Sequence, residues 1–356
     1  MSLTKDDLRA AVGAGTISEA QAVRLISLAE ARAGARDRVM EGDEPFEIFR
    51  GFNEIFVAVG LAILFVGYSF FFNHFGMADG LAGRTPAGFL RGFALRTMTI
   101  SSVGLGAVVL LTYYFVFRRM MVAPSILLAC AAGYFAGWLG GAVTLLVDGQ
   151  NWIIPVFALL VLSAYWAWAR VPFTLFLIAI TALWLAVSMF SPEGEVPDFE
   201  FFFDLSADGP FALITILVGV VCFAVAMWFD QSDPHRVSRK TGHAFWLHVA
   251  AAPMIVNPVA ATLFSMNAAG AEAALVGFIA ALAVIALIID RRSFLLSGIG
   301  YMIALIVTVI DGGFAVAMLG LGLILVTLGA LWESIRGAIL RGLPNFPGKS
   351  NLPPWV

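Results

Sequence analysis

From its N-terminus the chain runs through about fifty mixed residues and then into a succession of long apolar runs separated by short polar breaks. The runs lie at 54–73, 97–117, 122–147, 152–169, 171–190, 210–229, 243–264, 271–289, 294–310 and 313–332. A helix that crosses about 30 Å of hydrocarbon needs about 20 such residues. Lipid offers no partner to backbone polar groups, so a spanning segment must pair them within itself. The pattern predicts an all-α fold: a polytopic transmembrane helical bundle of about ten spans over residues 51–333, with a cytoplasmic tail at 334–356. Two breaks decide the count. Ala169-Arg170-Val171-Pro172 sets a charge and a proline where a helix has to stop, and Asp311-Gly312-Gly313 is a turn signal. Without either one, a run of roughly 38 residues would have to form a single helix far longer than a bilayer needs.

Residues 1–50 read as a small helical hairpin, cytoplasmic or lying on the membrane surface. Thr4-Lys5-Asp6-Asp7 resembles a capping box, and Ser18-Glu19-Ala20-Gln21 matches one more fully, with Ile17 placed as a staple. Gly13 and Gly15 break the chain between the two helices, and Leu25, Ile26, Leu28 and Ala29 give the second a modest apolar stripe.

Composition then narrows the class. Apolar residues make up 60% of the chain and charged residues only 13%, against roughly 25% charged in soluble domains. That balance excludes a soluble domain, a disordered chain and a collagen. The two cysteines, Cys130 and Cys222, are too few for a disulfide scaffold, and both sit within apolar runs. The net charge of −3, with seven basic and nine acidic residues in the first fifty, argues against a nucleic-acid partner. The first forty-five residues hold no continuous apolar stretch of the kind a secretory signal needs.

Placing the charges gives an orientation. With the N-terminus inside, eighteen of the twenty-one lysines and arginines fall on the cytoplasmic side and only Arg84, Arg91 and Arg96 fall outside, so both termini are expected in the cytoplasm. The outer loop after the fifth run is acidic, from Glu193 to Asp208, and is interrupted by Phe199 and Phe201 to Phe203. The loop after the first run carries the three outer arginines with Phe89, Leu90 and Phe93, spaced as in a short interfacial helix. The two loops either pair, basic with acidic, or never meet.

Candidate chemistry is sparse. Glu54, Asp148 and Asp311 stand at span ends, and no charge stands at a span centre. No phosphate-binding loop, zinc-protease motif, nucleophile elbow or paired Cys-x-x-Cys occurs. No catalytic residue, metal ligand or cofactor is therefore assigned, and enzymatic activity is not expected.

The seventh run is the polar exception. At 100° per residue His243, Trp246, Ala250, Pro253 and Asn257 fall on one stripe, with His248 pointing away. Pro253 lies roughly 15 Å in from His243, and prolines free carbonyls that must face protein or water. His243, Trp246, Pro253 and Asn257 are thus candidate cavity residues; alternatively the prolines only kink the helix for packing and Asn257 bonds a neighbour. Gly133, Gly137 and Gly141 on the third run permit close helix packing, inside the bundle or across a dimer seam. Asp148 and Asp311, each followed by glycine, are either an outer acidic pair or simple helix ends. The basic turns near Arg236 and at Asp290-Arg291-Arg292 suit anionic lipid head groups, although topology alone accounts for their sign.

Three stretches together carry a resemblance: Gly15 to Gln21, His243 to Pro258, and Asp290-Arg291-Arg292 with Ser297-Gly298 leading to Tyr301. They resemble a group of bacterial inner-membrane proteins of unknown function that carry a short N-terminal helical unit before many spans. The resemblance covers about a third of the chain and implies a bacterial cytoplasmic membrane and a helical bundle, with no activity to carry across. Two functional readings stay open: a transporter-like or lipid-handling protein with a cavity near the seventh span, and a non-catalytic accessory subunit docking other membrane proteins. The partners expected are membrane lipids, with a second copy or another membrane protein as further candidates.

Overall fold

A computed structural model describes residues 8, 11–18, 21, 25, 52–78, 86–191, 202–206, 209–232, 240–266, 268–309, 314–345, 348–349 and 352–353. The chain divides into two units, Met1–Pro45 and Phe46–Val356. In the first, the helical backbone gives way to a turn at Gly15, whose φ of +71° lies in the left-handed region that glycine enters without penalty. The capping box after it forms in both directions: Ser18 N–H donates to Gln21 Oε1 at 2.8 Å and Gln21 N–H donates to Ser18 Oγ at 3.2 Å.

The second unit contains, among its described residues, eleven α-helices and no strand. They are α1 (Phe52–Ala78), α2 (Pro86–Thr112), α3 (Val122–Leu146), α4 (Ile153–Ala169), α5 (Phe173–Phe190), α6 (Phe211–Gln231), α7 (Lys240–Ser265), α8 (Ala271–Ile289), α9 (Ser293–Val309), α10 (Phe314–Ala330) and α11 (Trp332–Gly342). A π-helical turn, Tyr113–Arg118, continues α2. Among the described residues, seven helices are long and apolar enough to cross a membrane, or eight if α10 and α11, bent by 78° at their junction, count as one span. The protein is a multi-pass helical membrane protein. Helices α4, α9 and α10 have 17 residues each.

The breaks have local causes. Arg170 closes α4 in the left-handed conformation at φ 53°, and Pro172 follows. Asp148 ends α3 the same way at φ 46°. Asp311 and its two glycines lie outside the described residues. The expected separate interfacial helix at Phe89 to Phe93 is instead the beginning of α2, which starts at Pro86, a residue pre-set for a first helical position.

Two helices organise the unit. Helix α3 packs against α1, α2, α4 and α5, and α7 packs against α5, α6, α8 and α9. Half of the apolar window of α7 is buried, against 6% for α1. Small side chains explain the close approach. Ala244, Ala250, Ala251, Ala252 and Ala260 of α7 are at most 1% exposed. At Gly219 of α6 an added Cβ would stand 2.8 Å from Cβ of Met254. Lipid supplies no hydrophobic drive between helices, so such packing must supply the attraction itself.

Of the two loops expected to lie outside, Arg84 and most of the acidic segment fall beyond the described residues. The described part reaches α7, where Leu205 N–H donates to Thr262 Oγ1 at 2.8 Å.

Candidate functional site

The polar residues that the fold brings together lie where α6 ends, α7 begins and α8 turns into α9. The last turn of α6 carries Asp230, and the third turn of α7 carries His248, roughly 12 Å along from Lys240. Arg291 follows Asp290, which caps α8 in the left-handed conformation at φ 58°. Asp230 is 6% exposed, and His248 and Arg291 are fully buried.

The three side chains share one carboxylate. Asp230 Oδ2 meets His248 Nε2 at 2.9 Å and accepts from Arg291 Nε at 3.1 Å, while Arg291 Nη2 donates to Oδ1. An ionised carboxylate only accepts, so His248 Nε2 carries a proton in this arrangement. Nδ1 then sets the charge of the ring. Without a proton there the cluster is neutral overall, and with one it carries a single positive charge. The imidazole is boxed by Phe223 at 5.5 Å and Phe294 at 6.1 Å between centroids, and these two rings meet edge to face at 5.5 Å. Apolar walls of this kind keep the effective dielectric low and the ion pair strong.

A second polar layer ties the C-terminal segment to the same turn. Trp332 Nε1 donates to Asp290 Oδ1 at 2.7 Å, and the Arg292 guanidinium lies 5.2 Å over the Trp332 ring. Arg336, 1% exposed, donates to the Leu287 carbonyl at 3.1 Å and to the Pro353 carbonyl at 2.8 Å. Asp290 and Arg292 therefore both face Trp332 while Arg291 faces Asp230, and the turn joins α6, α7 and α11.

The sequence-derived candidates fall outside this cluster. His243 is buried, stacked on Phe229 at 5.6 Å and edge-on to Trp166 at 5.8 Å. Trp246 is half-buried among Phe173, Phe176 and Phe245. Pro253 and Asn257 are half-buried further along α7. Asp148 is exposed. On α3, a Cβ at Gly133 would reach Leu162 at 3.6 Å, and at Gly137 or Gly141 it would meet nothing within 4 Å. The tight approach is one residue off that stripe, at Gly140, where a Cβ would stand 2.9 Å from the Ile154 backbone.

Helical angle sets His248 apart from the His243 stripe, but it does not name Asp230 and Arg291 as its neighbours. The available signal was Asp230 directly after Trp228-Phe229, at the end of an apolar run, with a histidine five residues into the next one.

No family model matches the chain, and no curated protein or solved structure is significantly similar to it.

Proposed function

We propose that the protein is a transporter-like protein of ten spans in a bacterial cytoplasmic membrane, with both termini in the cytoplasm, that handles a small uncharged or amphipathic ligand along α7. One observation carries the reading: the helix most enclosed by its neighbours is interrupted by two prolines and tied at one end to a buried ionised cluster. Pro253 and Pro258 lack the N–H groups that would meet the carbonyls of Val249 and Met254. The helix is thus weakened midway and clamped near its start. Ionisable groups retained within membrane helices commonly mark relays and substrate pathways, and His248 adds a site where one proton changes the cluster's charge. The ten-span count draws support from α4, α9 and α10, whose 17 residues reach the lower end of the range of roughly 17–25 that spans a bilayer.

The test is native mass spectrometry of the full chain released from mild detergent, comparing wild type with a Trp246→Ala, Asn257→Ala variant of equal thermal midpoint. A small molecule retained by the wild type and lost by the variant supports the reading. Equal retention by both refutes the placement along α7. A second reading, an accessory subunit, is favoured by the open space beside Gly137 and Gly141. A stoichiometric protein partner in place of a small ligand would establish it.

A further inference from the structure

The π-helical turn that ends α2 carries a feature independent of α7. Tyr113, Tyr114, Phe117, Arg118, Arg119 and Met120 are all exposed. In an α-helix the neighbour of residue i on the same face is i+4, which would set Tyr113 beside Phe117 and Tyr114 beside Arg118. The π turn inserts one residue, as the Arg119 N–H bond to the Tyr114 carbonyl at 3.1 Å shows. It therefore brings i and i+5 together and makes two parallel tyrosine–arginine pairs.

In the first pair the Arg118 guanidinium lies 5.7 Å from the Tyr113 ring centroid, and Nη2 is 3.5 Å from the hydroxyl. In the second, Arg119 lies 5.5 Å from the Tyr114 centroid and donates to its hydroxyl from Nε at 3.3 Å and Nη2 at 3.1 Å. A guanidinium has five N–H donors in a planar fork, so each retains at least three for a ligand. Among the described residues neither arginine forms an ion pair. Glu54, which reaches this end of the unit from α1, is buried, and its Oε2 accepts the Val122 N–H at 3.2 Å. The aromatic surface continues onto α4, where Trp168 meets Phe117 edge to face at 5.1 Å.

We propose that this turn is a binding site for the head group of an anionic phospholipid. The occupant follows from three properties. Two pre-oriented guanidiniums match a phosphate, which they contact through paired N–H bonds. Exposed tyrosines, a phenylalanine and a tryptophan belong at the level of the head groups in a membrane protein. Met120, 66% exposed beside the arginines, offers apolar surface to an acyl chain. A zwitterionic lipid brings its own cation to the site and lacks the net charge that balances two arginines.

The test uses the full chain in detergent with equal amounts of an anionic and a zwitterionic phospholipid of identical acyl chains, and bound lipid is counted by native mass spectrometry. The wild type is expected to prefer the anionic lipid at least about fivefold. Arg118→Lys with Arg119→Lys keeps the charge and removes the forks. Tyr113→Leu with Tyr114→Leu keeps the charge and the apolar surface and removes the stacking. Each pair is expected to cut the preference below about twofold. Arg341→Gln, an exposed arginine outside the turn, should leave it unchanged. A preference undiminished in both paired variants, or lost equally in Arg341→Gln, would show that diffuse positive charge suffices and would overturn the proposal. So would displacement of the lipid by inorganic phosphate at matched concentration, because a free anion would then be the ligand. The altered side chains are exposed, and an unchanged thermal midpoint confirms that the variants fold.

Discussion

Replacing Asp230 by alanine removes the carboxylate that both Arg291 and His248 contact. Arg291 has no measurable exposure, so the guanidinium stays enclosed after losing the carboxylate that it contacts through both Nε and Nη2. Breaking a buried pair in this way costs about 3–5 kcal/mol, a large share of the roughly 5–15 kcal/mol that holds a folded domain together. Burying two ions was itself expensive, and an apolar set of similar volume avoids that cost. Asp230→Leu with His248→Phe and Arg291→Met places such a set beside Phe223 and Phe294, which already wall the imidazole. The triple variant is expected within about 2 kcal/mol of wild type, well above the single variant. The assay is equilibrium unfolding in mixed micelles followed by tryptophan fluorescence. A cost below about 1 kcal/mol for Asp230→Ala, or a triple variant no more stable than the single one, would refute the picture of an ionised, enclosed pair.

Further outcomes follow from other parts of the fold. Gly140→Ala drives a Cβ to 2.9 Å from the Ile154 backbone and should destabilise by about 1–3 kcal/mol. Gly137→Ala and Gly141→Ala, facing open space, should be neutral or stabilising by up to about 1 kcal/mol in the same unfolding assay. Arg336→Met removes the bonds to the Leu287 and Pro353 carbonyls. It should cost about 2–4 kcal/mol and speed carboxypeptidase trimming of the C-terminus. A C-terminal reporter that is active only outside the cytoplasm should stay silent if eighteen of the twenty-one basic residues indeed face inward.

Helix positions were legible in the chain because apolar length, proline and charge act locally. Arg170 and Pro172 were enough to part α4 from α5. The buried cluster was not legible, because its members are loop-like residues by type and are brought together only by tertiary packing. Asp230 and Arg291 stand sixty-one residues apart. A hydrophobic pattern does not say which side of a terminal turn faces the bundle. The C-terminal helix was not read from the sequence, where residues 334–356 are expected as a cytoplasmic tail, although Trp332, Arg336 and Leu340, all buried, recur every four residues. On α3 the regular four-residue spacing drew attention to Gly133, Gly137 and Gly141, whereas the close backbone approach uses Gly140. Spacing alone carries no information about which face meets the neighbour.

The carboxylate at the end of α6 also imposes an order on synthesis. His248 follows Asp230 by eighteen residues and Arg291 by sixty-one, so as the chain leaves the ribosome α6 and α7 are complete before the arginine exists. Along the chain the histidine is thus the nearer of the two partners, and the contact that joins α6 to α7 closes a far shorter loop than the one that joins α6 to the α8–α9 turn.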